Sequence, residues 1–236
     1  MPEPLVFVPG LMADARLFLP QMVALGTRFS VQVCMPTQGD TVEENSLFVL
    51  DQAPAKFALI GHGLGGAVAL DVLRRAAERV TRVVLISTPP LSETPQAAAA
   101  REARIVAARS GRLPEAMADE IPAEALADTE WRGEVMALLR DMAMGLGEGA
   151  FLRQSRAMQR RPDQQKTMRR IKIPALIMAG EADTLIPVRR QEFTAGLMPY
   201  GKMCVIAGAG HVTSLEQPDL VSDAIEAFMN GPVLLR

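Results

Sequence analysis

The chain is short of the residues that several classes of site require. Its 236 residues include only two cysteines, Cys34 and Cys204, each inside a short apolar stretch that reads as a strand. They are expected to be small buried thiols, because a disulfide framework or a zinc site needs more cysteines or a closer spacing. There are only two histidines, His62 and His211, which argues against a metal centre built on imidazoles. Lys and Arg number 25 against 27 Asp and Glu, a formal net charge of −2. The sequence pI is near 5.8, without the basic excess of a nucleic-acid binder. No apolar run reaches the roughly 18 residues of a membrane span. The opening Met-Pro-Glu-Pro runs straight into an apolar segment, with neither a basic n-region nor an apolar h-region. The expectation is a cytoplasmic protein with no membrane or nucleic-acid partner.

What is present is core material in a regular order. Apolar residues make up 49% of the chain and charged residues 22%, enough for one sizeable α/β domain. Short apolar runs bounded by Gly, Pro or Ser recur at 5–8, 29–35, 57–60, 83–86, 175–179 and 203–206. Continuous runs of this length fit strands buried on both faces, as in a parallel sheet. Between them lie helical patterns, among them 66–78 and 220–229. Such alternation predicts an α/β fold with a doubly wound, mostly parallel sheet of about six strands. From about 91 to 170 the alternation stops. An alanine run, Ala97 to Ala100, and several helical stretches are separated by Gly111, Pro114, Pro122 and Gly145-Leu146-Gly147. The predicted organisation is a core of 1–90 and 171–236 with a helical cap inserted at 91–170.

The run at 57–60 leads into Gly61-His62-Gly63-Leu64-Gly65-Gly66 and then a helix. That strand–turn–helix is the setting of a nucleophile elbow, whose sharp turn lifts one side chain above the sheet. Here the chain resembles the α/β-hydrolase superfamily, especially its small esterase, lactonase and thioesterase-like members, whose usual elbow is Gly-His-Ser-Leu-Gly-Gly. The resemblance covers nearly the whole chain. Val8-Pro9-Gly10-Leu11 looks like the oxyanion loop, although the family more often has His-Gly there. Gly180-Glu181-Ala182-Asp183-Thr184-Leu185-Ile186-Pro187 looks like the acid loop, and Gly208-Ala209-Gly210-His211 with Glu216-Gln217-Pro218 like the histidine loop. The order of nucleophile, acid and histidine also matches.

The resemblance implies hydrolysis of a carboxylic ester, lactone or thioester, with a small-molecule partner and no cofactor or metal. It puts Asp183 in the place of the acid and His211 in that of the base, which takes the nucleophile's proton. The backbone N–H groups of Leu64 and of Leu11, or else Met12, would form the oxyanion hole. His62 is expected to pack or hydrogen-bond. The nucleophile position is Gly63, which has no side chain to attack with. Three accounts follow: an impaired hydrolase, a non-catalytic ligand-binding pseudo-enzyme, or a His–Asp pair acting as general base on water or in an oxygenase or lyase reaction. Cys34, Ser87, Thr88 and Ser214 are the other conceivable nucleophiles, none at the elbow. In the insertion, Met117, Met136, Met142, Met144, Met158 and Met168 could pack the cap or line an acyl pocket. Arg156, Arg160, Arg161 and Arg169 form a solvated face or draw an anionic substrate.

Overall fold

The computed structural model describes residues 3–231. Its centre is a six-stranded sheet in which every pairing is parallel: β1 (Leu5–Val8), β2 (Val31–Val33), β3 (Phe57–His62), β4 (Val80–Ile86), β5 (Ala175–Gly180) and β6 (Gly201–Ile206). The strand order is β2-β1-β3-β4-β5-β6. The helices are α1 (Leu19–Leu25), α2 (Val42–Gln52), α3 (Leu64–Ala76), α4 (Pro95–Arg109), α5 (Leu113–Glu120), α6 (Arg132–Gln159), α7 (Gln165–Arg170), α8 (Val188–Leu197), α9 (Thr213–Glu216) and α10 (Pro218–Asn230). Between β4 and β5 the described residues are helical or irregular, and α6 is interrupted at Gly147, where φ is 77°. Among the described residues no helix is long and apolar enough to cross a membrane.

Side-chain alternation explains why the strands read as unbroken apolar runs. Phe57 and Leu59 of β3 enter the core on one face with α2, α3 and α7, while Ala58 and Ile60 enter the core on the other with α1 and α10. Val6 and Val8 of β1 divide from Leu5 and Phe7 in the same way. With both faces covered, each residue of a central strand is apolar regardless of its phase. A third, smaller core joins Ala108, Met117 and Phe151 of the inserted helices to Met12, which lies in the loop after β1.

Two strand boundaries and one burial differ from the pattern reading. Strand β4 begins at Val80, earlier than the apolar run, because Thr81 and Arg82 belong to it. Arg82 is 3% exposed, and its guanidinium donates to the carbonyls of Phe228 and Gly231. The β2 strand is only three residues long, and Cys34 lies just past it, buried. Cys204, expected to be buried, is half-exposed because β6 is the sheet edge and has one unpaired side.

The tightest constraint is at the start of α3. A Cβ built on Gly65 would lie 1.9 Å from the Val8 carbonyl oxygen and 2.6 Å from that of Pro9. Both obstacles are backbone, so no rotamer change relieves the overlap. Gly65→Ala is therefore expected to cost about 3 kcal/mol or more of stability, read from urea unfolding followed by circular dichroism.

Candidate active site

The register of the sheet decides which loops meet. Val8 pairs with Gly61, so the loop after β1 and the elbow after β3 leave the sheet side by side. Gly180 pairs with Ile206, which brings the loops carrying Asp183 and His211 together. Ile86 lies between these groups, paired with His62 on one side and Met178 on the other, and places Ser87 behind the site. Strand β1 has β2 on one side and β3 on the other, so the chain order reverses there. Ligands of open parallel sheets bind outside the carboxyl ends of the strands at such a switch point.

His211 Nδ1 lies 3.0 Å from Asp183 Oδ2. The carboxylate accepts a hydrogen bond from Nδ1–H, which fixes the tautomer and leaves Nε2 as the basic ring nitrogen. Burial raises the pKa of Asp183. The hydrogen bonds from His211, the Ile186 backbone and Ser87 outweigh it and hold the carboxyl below its ordinary value. Ser87 Oγ donates to Oδ2 at 2.8 Å, and the N–H groups of Leu185 and Ile186 donate to Oδ1 at 2.9 Å each. Ser87 has φ 45°, an unfavourable backbone conformation for a non-glycine residue. The histidine loop is fixed independently. Glu216 accepts the N–H groups of Ala127, Gly210 and Val212, and His211 N–H donates to Ala125 O at 2.7 Å.

Gly63 sits at the turn with φ 53° and ψ −112°. The nearest atom to a Cβ added there is the Gly10 Cα at 3.9 Å, so a side chain has room. Leu64 is the first residue of α3, where backbone N–H groups lack helical acceptors. Leu64 and Leu11 both line the same cavity. Of the two residues read as second donor, Leu11 and Met12, the latter meets Gln154 of α6. Its Oε1 accepts the Met12 N–H at 2.7 Å while its Nε2 donates to Pro36 O. Met12 N–H is thus already engaged. Gln154 gives no signal in the sequence, since a buried glutamine within a long helix follows no motif.

The cavity beside Gly63 has a volume of about 270 Å³ and also takes in His62, Ser87 and His211. Of the methionines singled out in the insertion, Met158 lines it, while Met142 and Met168 are wholly buried in the two sheet cores. Of the four arginines, Arg161 lines it, and Arg156 is paired with Glu102 instead. The alternative nucleophiles are spoken for or misplaced. Thr88 Oγ1 donates to Ile86 O, Ser87 is bound to Asp183, and burial in the sheet core pushes the Cys34 thiol up to about 11. Ser214 is wholly buried and is not in the cavity wall. Among the described residues, no cluster of three or more His, Cys, Asp or Glu could hold a metal ion.

His62 does hydrogen-bond: its Nε2 donates to the His211 carbonyl oxygen at 2.8 Å, and its buried Nδ1 has no partner among the described residues. Burial, reinforced by the neighbouring His211, drops its pKa to about 4 from the ordinary 6.5. As pH falls through this window the unfolded chain takes up a proton that the folded protein refuses, so stability falls with pH. From pH 6.5 to 5 the expected loss is about 1.5 kcal/mol, since the slope rises from half of 1.36 kcal/mol per pH unit at pH 6.5 toward the full value at pH 5. Urea unfolding at the two pH values measures it, and the loss should largely vanish in His62→Asn.

The comparisons with known proteins bear on the family and the fold. A profile of the Alpha/beta hydrolase family matches residues 5–224. The chain is similar to a pimeloyl-[acyl-carrier protein] methyl ester esterase of Aromatoleum aromaticum, 28% identical over an alignment 213 positions long that covers 83% of each chain. Among solved structures, it is similar to a thermophilic esterase of Thermogutta terrifontis in a malate-bound form. That match has a TM-score of 0.84 and 25% identity and covers 96% of this chain and 89% of the other. The enol-lactonase of Burkholderia xenovorans LB400 shares the fold, with a TM-score of 0.85 at 21% identity over 98% of this chain and 93% of the other. The chain belongs to the α/β-hydrolase family.

Proposed function

We propose that the site is that of a carboxylic ester, lactone or thioester hydrolase whose nucleophile position is held by Gly63. The observation that carries this reading is the Asp183–His211 contact of 3.0 Å facing a turn that has room for a side chain and none present. Asp183 orients the imidazole, His211 Nε2 is the base, and the N–H groups of Leu11 and Leu64 stabilise the oxyanion. The helices between β4 and β5, within about 91–170, act as the cap that bounds a small-molecule substrate. The esterase relative at 28% identity supports the substrate class. The proposed reaction calls on no cofactor: apart from the nucleophile missing at Gly63, every group it uses is a side chain or backbone amide of this chain.

In the chain as written the covalent step is missing. Water placed over Gly63 can give up a proton to His211 Nε2 and attack the carbonyl. Such a remnant is weak, on the order of 10³-fold over the uncatalysed rate. In the Gly63→Ser variant the hydroxyl attacks instead and its proton passes to Nε2. The leaving alcohol takes that proton, and water then hydrolyses the acyl-enzyme through the same base.

The test is Gly63→Ser. It is expected to gain hydrolysis of a small aryl ester by at least two orders of magnitude, with burst kinetics and covalent labelling by a serine-directed phosphonate. Adding His211→Ala should abolish both. The unfavourable φ at position 63 should make Gly63→Ser slightly less stable, by about 1 kcal/mol. A folded Gly63→Ser protein without turnover or labelling would favour a binding role without catalysis.

A further inference from the structure

One wall of the cavity beside Gly63 is unusually charged for an enclosed space. Arg101 and Arg104 of α4, Glu120 at the end of α5, Glu93 just before α4 and Arg161 just after α6 converge there. Arg101 is the hub and is saturated. Its Nε contacts both Glu93 carboxylate oxygens, Nη2 contacts Glu93 Oε1, and Nη1 contacts Glu120 Oε1. The other two arginines are held by one edge only. Arg104 pairs with Glu120 through Nε at 2.7 Å without hydrogen-bond geometry, Nε and Glu120 Oε2 both being buried and unbonded, and no hydrogen bond from its two terminal nitrogens occurs among the described residues. Arg161 uses Nε on Leu91 O and Nη1 on Glu93 and Met158 O, which leaves Nη2 without a partner among the described residues.

These side chains are largely removed from water: the relative exposure is 7% for Arg101, 19% for Arg104, 11% for Arg161 and 3% for Glu93. Burial pulls Arg161 below the ordinary guanidinium value, against the opposing pull of its hydrogen bond to Glu93. Among the groups of this wall that are largely removed from water, the three arginines Arg101, Arg104 and Arg161 face the two carboxylates Glu93 and Glu120, whereas Arg190 of α8 and Asp119 are exposed. Asp183 is turned behind His211 and is not part of it. A buried ionic network stabilises only when its remaining donors are satisfied, and a charge excess in such a space favours an anion. The unfilled edge of Arg104 presents two parallel N–H donors, the fork that matches a carboxylate.

We propose that this cavity selects substrates with a second, anionic group: the half-ester or half-thioester of a dicarboxylic acid, whose free carboxylate docks on Arg104 and Arg161 while the ester carbonyl lies over Gly63. The inference rests on the hydrolase reading for the reacting carbonyl, but the docking of the anion is independent of turnover. The Glu93–Arg101–Glu120 core is the platform that fixes both guanidinium groups, and the selectivity comes from their unused edges.

The chain as written suits the test, because it lacks the nucleophile that would consume the ligand. Isothermal titration would compare monomethyl glutarate and monomethyl adipate with the corresponding dimethyl esters. At least one half-ester is expected to bind tenfold or more tightly than its diester, and 0.5 M NaCl should erode that preference. Arg104→Gln should shrink it below threefold, with Arg104→Lys intermediate because the charge remains and the fork does not. If Arg104→Gln fails to fold, the salt-sensitive preference of the unmodified chain and the effect of Arg161→Gln carry the test. Equal affinity for half-ester and diester, or a preference unmoved by substitution at both arginines, would overturn the proposal. Failure of the hydrolase reading is separable. An anion preference with no turnover by Gly63→Ser overturns that reading alone. Turnover of a neutral aryl ester without any anion preference overturns this one alone.

Discussion

The backbone of Gly65 approaches the end of β1 so closely that a Cβ would sit 1.9 Å from the Val8 carbonyl oxygen, and the geometry of the whole carboxyl edge of the sheet depends on that approach. Because α3 starts directly over β1, the chain must reverse between β3 and α3 within one residue. Gly63 absorbs that reversal at φ 53°. Leu64, the first residue of α3, thereby lines the same cavity as Gly10 and Leu11 of the loop after β1. The proposed oxyanion hole takes its two donors from these separate segments, and close packing of helix on strand is what brings the segments together.

The same edge is stiffened from the opposite side by the inserted helices. Met12 places its side chain in their small core while its N–H is held by Gln154, so the loop after β1 is tied both to the sheet and to α6. Asp183 is likewise held by four donors and the histidine loop by Glu216, which itself accepts three backbone N–H groups. Asp183 and His211 are therefore maintained at hydrogen-bonding distance without help from a side chain at position 63. This explains how the pair persists around a glycine: none of the contacts that position it involves a side chain at 63.

The charged wall of the cavity follows a different logic from the rest of the interior. The two sheet cores and the small core of the insertion are apolar, whereas α4, α5 and the end of α6 meet the site through paired ions. Hydrophobic packing would hold those helices with less desolvation cost. The price of the ionic alternative is offset only if the arrangement does something more than join helices, and recognition of a charged ligand is what its unused donors provide.

The sequence by itself determined the sheet and the order of its landmarks. Six apolar runs punctuated by Gly, Pro or Ser carry the parallel strands, because strands buried on both faces have no polar phase to hide them. The elbow at Gly61 to Gly66 and the acid and histidine loops are legible for a related reason: sharp turns and close approaches tolerate few residue types. The start of β4 was masked because Arg82 is paired with carbonyls of the C-terminal helix, a contact that exists only once the chain has folded. Tertiary structure alone decided that Ser87 bonds Asp183, that Gln154 claims the Met12 N–H, and that Arg101, Arg104 and Arg161 share one cavity with Gly63. These residues lie on separate elements, up to 142 positions apart for Met12 and Gln154, and each is an ordinary polar residue in its local sequence. Local pattern reports which face of an element is buried. It carries no record of which distant donor meets which acceptor, since that is set by the register of the sheet and by how the inserted helices pack over its edge.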